Sequence, residues 1–340
     1  MLTKRDYWID NVKIYACVLV VLGHFFQSMT SSEIINPDFL YSWFNRTIYY
    51  FHVPLFFICS GFLYQKYSCV HSFTNWSMNI LKKFLTLGVP YFIFSTLTWT
   101  MKVVFSGSVN NKADGFFTSI FLKPISPFWY LYALFFVFLI TPTFKDKKHL
   151  IIVLLISLVF KSFSFLPFDS GIYAVDTLLD NKIWFVIGMC LGYFGFPKEL
   201  CVKKKLVLAG ILSVIFLSAS IIFVFKNIHV ELFDFVLGLI GCAVTIITFM
   251  VCDKFACAQK IAEFCSKYTL PVFLMHTLCA ATLRSLLFKI GIFSPVLHIS
   301  TGLIVSFIGP VIIANIMAKF KWLDFLIYPN KYVKLKNKGA

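Results

Sequence analysis

The fold of this chain is decided by its first long apolar stretch, Ile14-Tyr-Ala-Cys-Val-Leu-Val-Val-Leu-Gly-His24-Phe-Phe-Gln-Ser-Met29, which follows directly after Lys13. A run of this length and hydropathy predicts a helix that crosses a membrane. An ionisable imidazole is costly to hold in hydrocarbon, so His24 is expected to face a polar interior or a reaction site. Eleven residues of helix return to within about 20° of the starting direction, so Lys13 and His24 share one face, roughly 16 Å apart.

The composition is that of an integral membrane protein. Of the 340 residues, 59% are hydrophobic and only 14% are charged, and the mean hydropathy is +0.83. A soluble domain is far more polar. The ten cysteines lie mostly inside apolar runs and lack the paired spacing of a zinc site, so they are interpreted as packing residues. We therefore predict an all-α, polytopic protein that binds no metal.

The net charge of +16 comes from basic residues in short loops between the apolar runs. This placement favours topology signals beside an anionic membrane surface over nucleic-acid binding. With the N-terminus in the cytoplasm, 21 of the 31 Lys and Arg residues fall on that side and 6 on the other. The chain is predicted to have ten spans with both termini inside: 9–29, 43–65, 81–104, 127–143, 149–166, 182–197, 205–225, 232–252, 267–288 and 296–318.

One domain is expected to hold all ten spans, over residues 1–322, followed by a basic cytoplasmic tail at 323–340 that contacts anionic lipid. The first apolar run is long enough to span, and no small-residue cleavage site follows it. We therefore expect a retained anchor instead of a cleaved signal peptide.

Four polar residues within or beside the spans each allow a structural explanation as well as a functional one. Asp10 and Lys13, three residues apart, could pair on the helix surface while Lys13 snorkels. His52 could line the same cavity as His24, or only hydrogen-bond a neighbouring helix. Arg284, near the outer end of its span, could also snorkel.

A third histidine, His276, lies mid-span, where an interhelical hydrogen bond is a simpler explanation than chemistry. No Ser/His/Asp order, carboxylate pair, HExxH helix or phosphate loop is present. Any chemistry should therefore be led by histidine.

The segment Arg5 to Lys13 followed by Val20-Val-Leu-Gly-His24 resembles the opening of the type 3 membrane acyltransferases, especially fucose 4-O-acetylases and related sugar O-acetyltransferases. That family begins with a basic residue, ten intervening positions and a histidine. Further agreement lies in His52-Val-Pro-Leu-Phe-Phe57, in Phe128-Trp129-Tyr-Leu131, and in Tyr268 through His276. One departure is Thr86, which stands where many relatives carry a second basic residue before the proline of the third span.

The resemblance implies transfer of an acyl group, usually acetyl, from cytoplasmic acetyl-CoA to a sugar hydroxyl of a surface glycan or its lipid-linked precursor. It also implies a bacterial inner or plasma membrane location. His24 would act as a general base or as a nucleophile. The implied site is made of His24, Lys13 and Asp10 in catalysis, Lys13, Lys66, Lys82 and Lys83 on the donor phosphates, and His52, Trp129, His276 and Arg284 on the acceptor.

Two other classes of function fit parts of the sequence. Buried polar and aromatic residues would also suit a transporter or flippase of a lipid-linked saccharide. Such a protein would not consume acyl-CoA. A sensor or scaffold is less favoured, because it leaves the placement of Lys13 and His24 unexplained.

Overall fold

The computed structural model describes residues 5–68, 70–106, 113–166, 169–195 and 201–333. This part of the chain forms thirteen α-helices and no strand, which confirms the all-α prediction. The helices are α1 (Tyr7–Ser31), α2 (Phe39–Tyr49), α3 (His52–Tyr67), α4 (Phe73–Lys83), α5 (Val89–Val104), α6 (Trp129–Ile140), α7 (Lys147–Phe163), α8 (Tyr173–Phe194), α9 (Val202–Phe225), α10 (Glu231–Cys252), α11 (Ala256–Lys289), α12 (Pro295–Met317) and α13 (Lys321–Ile327).

Seven helical stretches within the described ranges are long and apolar enough to cross a membrane: Tyr7–Ser31, Phe39–Tyr67, Phe73–Val104, Val202–Phe225, Glu231–Cys252, Ala256–Lys289 and Pro295–Met317. They contain seven of the ten predicted spans. The other three correspond to α6, α7 and α8. The first two of these have 12 and 17 residues, and α8 carries charged residues in its N-terminal half. The count of ten and the orientation stay predictions. Among the basic residues used for orientation, Lys4, Lys112, Lys198, Lys334, Lys336 and Lys338 lie outside the described residues.

The second predicted span is broken before its proline. Helix α2 ends and α3 begins at His52, so Pro54 lies in the first turn of α3, where its missing N–H removes no helical hydrogen bond. The Nδ1 atom of His52 lies 2.6 Å from the carbonyl oxygen of Ile48 and donates to it. The same carbonyl oxygen accepts a hydrogen bond from the backbone N–H of Phe51 at 3.3 Å, so the imidazole is its second donor at the break between the two helices.

Three glycines allow α3 and α8 to touch backbone to backbone. A Cβ atom on Gly61 would overlap the carbonyl oxygen of Phe185, and one on Gly188 would overlap that of Ile58. One on Gly192 would lie 2.7 Å from another α3 carbonyl oxygen. Gly188 and Gly192 have the small-xxx-small spacing of close membrane helix pairs. This pair forms the centre of the bundle.

Helices α1 and α11 run parallel along their whole length. Near the start of α1, the side-chain amide of Asn11 donates to the carbonyl oxygen of Ala258 at 3.1 Å. Near its end, Arg284 donates to the carbonyl oxygen of Ser28 at 3.3 Å. These two contacts lie seventeen residues apart on α1 and twenty-six residues apart on α11, so the helices run in the same direction without matching residue for residue. This pairing brings His24 opposite the middle of α11.

Helix α5 is preceded by a π-helical turn, Phe84–Gly88, which joins it to α4 without interrupting the stretch Phe73–Val104. The Thr86 hydroxyl donates to the carbonyl oxygen of Lys82 at 2.7 Å inside this turn. The wider turn ends at Gly88, directly before Val89 and Pro90 at the start of α5.

The segment after α12 packs on the bundle. The carboxylate of Asp324 is buried and accepts hydrogen bonds from Lys331 at 3.0 Å and from Tyr332 at 2.9 Å. The hydroxyl of Tyr328 donates to the carbonyl oxygen of Lys267 at 2.6 Å. Residues 323–333, the first part of the expected tail, fold against α5 and α11, and the cytoplasmic location of the tail stays a prediction. Residues 334–340 of that tail lie outside the described residues.

Candidate active site

Two histidines face each other between α1 and α11. The ring of His24 is half-buried, and its centre lies 5.6 Å from that of His276, with 38° between the ring planes. His276 is 1% exposed, and its Nδ1 atom lies 3.0 Å from the carbonyl oxygens of Val272 and Phe273. A carbonyl oxygen only accepts, so Nδ1 carries the proton and Nε2 bears a lone pair. That Nε2 atom is buried and has no hydrogen-bond partner among the described residues.

His24 lines a cavity of about 430 Å³ between α1, α5 and α11. Each of these helices contributes from its C-terminal half, so the cavity lies in the half of the molecule away from the start of α1. Its walls carry more hydroxyl, amide and basic groups than the rest of the bundle interior. The lining residues are His24, Gln27, Ser28, Ser31, Thr98, Met101, Lys102, Phe105, Ser126, Thr277, Leu278, Ala281, Thr282, Arg284, Ser285, Leu286 and Lys289.

Helical spacing places these polar groups together. On α1 they follow His24 by three, four and seven residues, which is one face of a helix. On α11, Ala281, Arg284 and Ser285 follow Thr277 by four, seven and eight residues, again one face. Both polar stripes are readable in the sequence. Of the cavity residues, His24 and Arg284 were predicted from the sequence as site residues, whereas Gln27, Thr277 and their neighbours were not.

Two hydroxyl groups on the cavity walls have no protein partner. The Oγ1 atoms of Thr98 and Thr277 are buried and make no hydrogen bond with any described residue. A buried hydroxyl group without a partner is unfavourable by about 1–3 kcal/mol. Both groups are therefore suited to bind a polar ligand that enters the cavity.

The opposite end of α1 holds a second set of basic residues. Lys13, Lys82 and Lys83 lie near enough to interact electrostatically, and Lys83 points its ammonium group at the ring of Phe138, 3.9 Å from its centre. Lys13 also lies near Cys59 on α3. The structure thus brings together three of the four lysines expected to bind the donor.

The two other charged residues predicted at that end are engaged in ion pairs. Lys66 lies 2.6 Å from Asp6, which also accepts a hydrogen bond from Tyr67. Asp10 lies 2.7 Å from Arg5 and is fourteen residues from His24, roughly 21 Å along the helix. A direct contact between Asp10 and His24 is therefore impossible. Their roles in donor binding and catalysis stay predictions.

Comparison with known proteins identifies the family of this chain. A family model described as an acyltransferase domain, of type 3, matches residues 6–315. The chain belongs to the type 3 acyltransferase family. The resemblance found in the sequence is thereby confirmed, and the matched range holds His24, His276 and every cavity residue.

One curated protein is similar to part of the chain. Nodulation protein NolL of Mesorhizobium japonicum is 27% identical over 141 residues, which cover 40% of this chain and 35% of NolL. The matched segment thus spans about a third of the length of that relative. No solved structure matches the chain.

The remaining predicted acceptor residues lie outside the cavity lining. His52 is 2% exposed, caps the break before α3, and packs edge-on to Tyr49 with ring centres 4.6 Å apart. Its position fits the hydrogen-bonding explanation. Trp129 starts α6, three residues after the lining residue Ser126, and packs on the core. Contacts of His52 and Trp129 with an acceptor stay predictions.

Proposed function

We propose that this protein is a bacterial inner-membrane O-acyltransferase. It moves an acetyl group from cytoplasmic acetyl-CoA to a sugar hydroxyl of a surface glycan or of its lipid-linked precursor. The observation that supports this most is the position of His24, which lines a polar cavity on one side while Lys13, Lys82 and Lys83 cluster about three turns away toward the start of α1.

The lysine cluster is suited to the donor. The phosphates of CoA are strong acceptors for ammonium groups, and Lys13, Lys82 and Lys83 supply three in one place. Lys13 shares a helix face with His24, so a donor bound there would extend along α1 toward the imidazole. The lysines hold the donor in place.

His24 is suited to either of two steps. As a general base, it takes the proton of the acceptor hydroxyl while that oxygen attacks the thioester carbon; the C–S bond breaks, and the CoA thiolate then receives the proton. As a nucleophile, its ring nitrogen attacks the thioester carbon and releases CoA. The acceptor hydroxyl then attacks the acyl-imidazole, the C–N bond breaks to restore His24, and the hydroxyl proton passes to the CoA thiolate released in the first step.

His276 is suited to position His24. Its Nδ1 proton is held by two carbonyl oxygens, so Nε2 keeps a lone pair that can accept a hydrogen bond. The ring centres are 5.6 Å apart, a separation that a modest rotation of His24 or a bound hydroxyl group would bridge. Such a bond orients the imidazole and selects its tautomer.

Transfer of labelled acetyl from acetyl-CoA to glycan, measured in membranes, tests the proposal. We expect His24→Ala and His24→Asn to lower the rate by about 10²–10⁴-fold, the usual contribution of a proton-transfer group. His149→Ala is the matched control, because that histidine is exposed on α7 and far from the cavity. Activity retained in folded His24 variants would exclude both roles.

A second measurement separates the two steps. Release of CoA by the wild-type protein before any acceptor is added, with label retained on the protein, indicates a nucleophile; release that requires acceptor indicates a base. If wild-type membranes move a lipid-linked saccharide but transfer no label to it, the transporter explanation replaces the acyltransferase.

A further inference from the structure

The cavity beside His24 is positively charged. Lys102 of α5 and Arg284 and Lys289 of α11 all line it. Arg284 is only 5% exposed, and the hydrogen bonds of its guanidinium group go to the backbone oxygen and hydroxyl of Ser28 through Nη1 alone. A guanidinium group has five N–H donors, so most of those of Arg284 are left for a ligand.

No carboxylate forms an ion pair with these three cations in the described part of the chain. Across the described ranges, no carboxylate oxygen lies within 4.0 Å of Lys102, Arg284 or Lys289, and none of the three cations lies over an aromatic ring. Asp114 acts on Lys102 only from beyond that distance. A buried cation without a partner is unfavourable, because the protein does not replace its hydration.

Three other poorly exposed cations have such partners. Arg46 lies 3.4 Å from Asp234, and Lys161 lies 3.1 Å from Asp180. Lys182, which lacks a carboxylate among the described residues, lies over the ring of Phe160, 5.1 Å from its centre. Arg284 differs from all of these, although it is among the most buried.

The position of Arg284 relates the charge to the chemistry. Its partner Ser28 lies one helical turn beyond His24 on the same face of α1, roughly 6 Å along the axis. A group bound by Arg284 would therefore lie about one sugar ring away from the imidazole. The unpartnered hydroxyl groups of Thr98 and Thr277 lie on the same walls.

We propose that the acceptor carries an anionic group, a carboxylate or a phosphate, close to the hydroxyl that is acylated, and that Arg284 binds this group with support from Lys102 and Lys289. This inference rests on the proposed function and narrows its substrate class. A carboxylate would come from an acidic sugar, and a phosphate from the link to a lipid or from a phosphorylated sugar. Both match the planar donors of arginine.

Binding to the purified full-length protein in lipid nanodiscs tests the inference without using activity. The probes are glucose, glucuronate and glucose 1-phosphate, and the readout is the increase in Tm that a ligand of the folded state produces. We expect the two anions to raise the Tm and glucose to leave it unchanged. The anion with the lower Kd identifies the source of the charge.

Variants locate the binding group. Arg284→Gln should weaken anion binding at least about tenfold, the usual effect of losing a charge-assisted hydrogen bond. Because that change also removes the contact with Ser28, Lys102→Gln serves as a second variant that keeps this contact; it should weaken binding severalfold. Lys226→Gln, an exposed cation at the end of α9, should leave binding unchanged.

The outcomes separate this inference from the proposed function. Equal binding of glucose and the anions, or full anion binding in both cavity variants, would overturn it even if labelled acetyl still reaches a glycan. Selective anion binding lost in the variants would support it even if no acetyl transfer is found, and the proposed function would then fail alone.

Discussion

At the start of α1, Arg5 and Lys66 each meet a carboxylate, at 2.7 and 2.6 Å, whereas near the end of the same helix Arg284 meets only the oxygen atoms of Ser28. The chain has 15 acidic residues against 31 basic ones, so carboxylates are scarce. A cation that forms an ion pair with a carboxylate has a structural role. Where a buried cation is left without one, a ligand is the natural counter-ion. The difference indicates which basic residues to test for binding.

The largest effect on stability should come from the close contact between α3 and α8. We expect Gly188→Ala to destabilise the protein by about 2–4 kcal/mol, since the new methyl group would overlap the Ile58 carbonyl oxygen. Both the donor end and the cavity should lose function together. The measurement is the thermal unfolding midpoint of the purified protein.

Gly210→Ala is the matched control. A Cβ atom at Gly210, in the middle of α9, meets no atom within 4 Å, so alanine should be neutral or stabilise the helix by up to about 1 kcal/mol. Equal stability of the two variants would show that the α3–α8 contact yields easily.

A smaller effect is expected from His52, which lies beside the cavity without lining it. His52→Ala should lower stability by about 1–3 kcal/mol, because the Ile48 carbonyl group keeps only the 3.3 Å hydrogen bond from the Phe51 N–H and the packing of the buried ring is lost. The rate per folded molecule should stay within a few-fold of wild type. His52→Asn, whose amide is also a donor, should recover part of the stability. A loss of rate as large as that of His24→Ala would instead place His52 in the active site.

The smallest effect is expected for the lysines near the start of α1, where the donor is proposed to bind. Lys13→Gln should raise the KM for acetyl-CoA about tenfold, equivalent to 1.4 kcal/mol, and leave the KM for the acceptor unchanged. Lys66→Gln is the comparison, since Lys66 is engaged with Asp6 and its exposed ion pair contributes at most about 1 kcal/mol to stability. If the two variants raise the KM equally, carboxylate pairing does not separate structural from binding lysines.

Much of the fold follows from the sequence, because a long apolar run in a membrane forms a helix to satisfy its own backbone hydrogen bonds. The break between α2 and α3 does not, since it depends on the His52 imidazole satisfying the carbonyl of Ile48. The α3–α8 contact is also predictable, because Gly188 and Gly192 have the four-residue spacing of close membrane helix pairs.

The site is predicted in part. His24 is predictable because an imidazole within a membrane span is unfavourable unless it faces a polar interior or a reaction site. Its proximity to His276, 252 positions later in the chain, follows only from the parallel pairing of α1 and α11. The sequence alone also suggested that Arg284 could snorkel; its contact with Ser28 shows that it turns inward instead.

The π-helical turn at Phe84–Gly88 sets the rotational phase of everything that follows it in α5. Such a turn holds one more residue than an α-helical turn, and one residue corresponds to about 100° of rotation. If the same residues continued as a regular α-helix, Thr98 and Lys102 would rotate by about 100°, away from the space they now border, with no side chain replaced. The width of this short turn thus sets which side chains of α5, and so which charge, face the cavity.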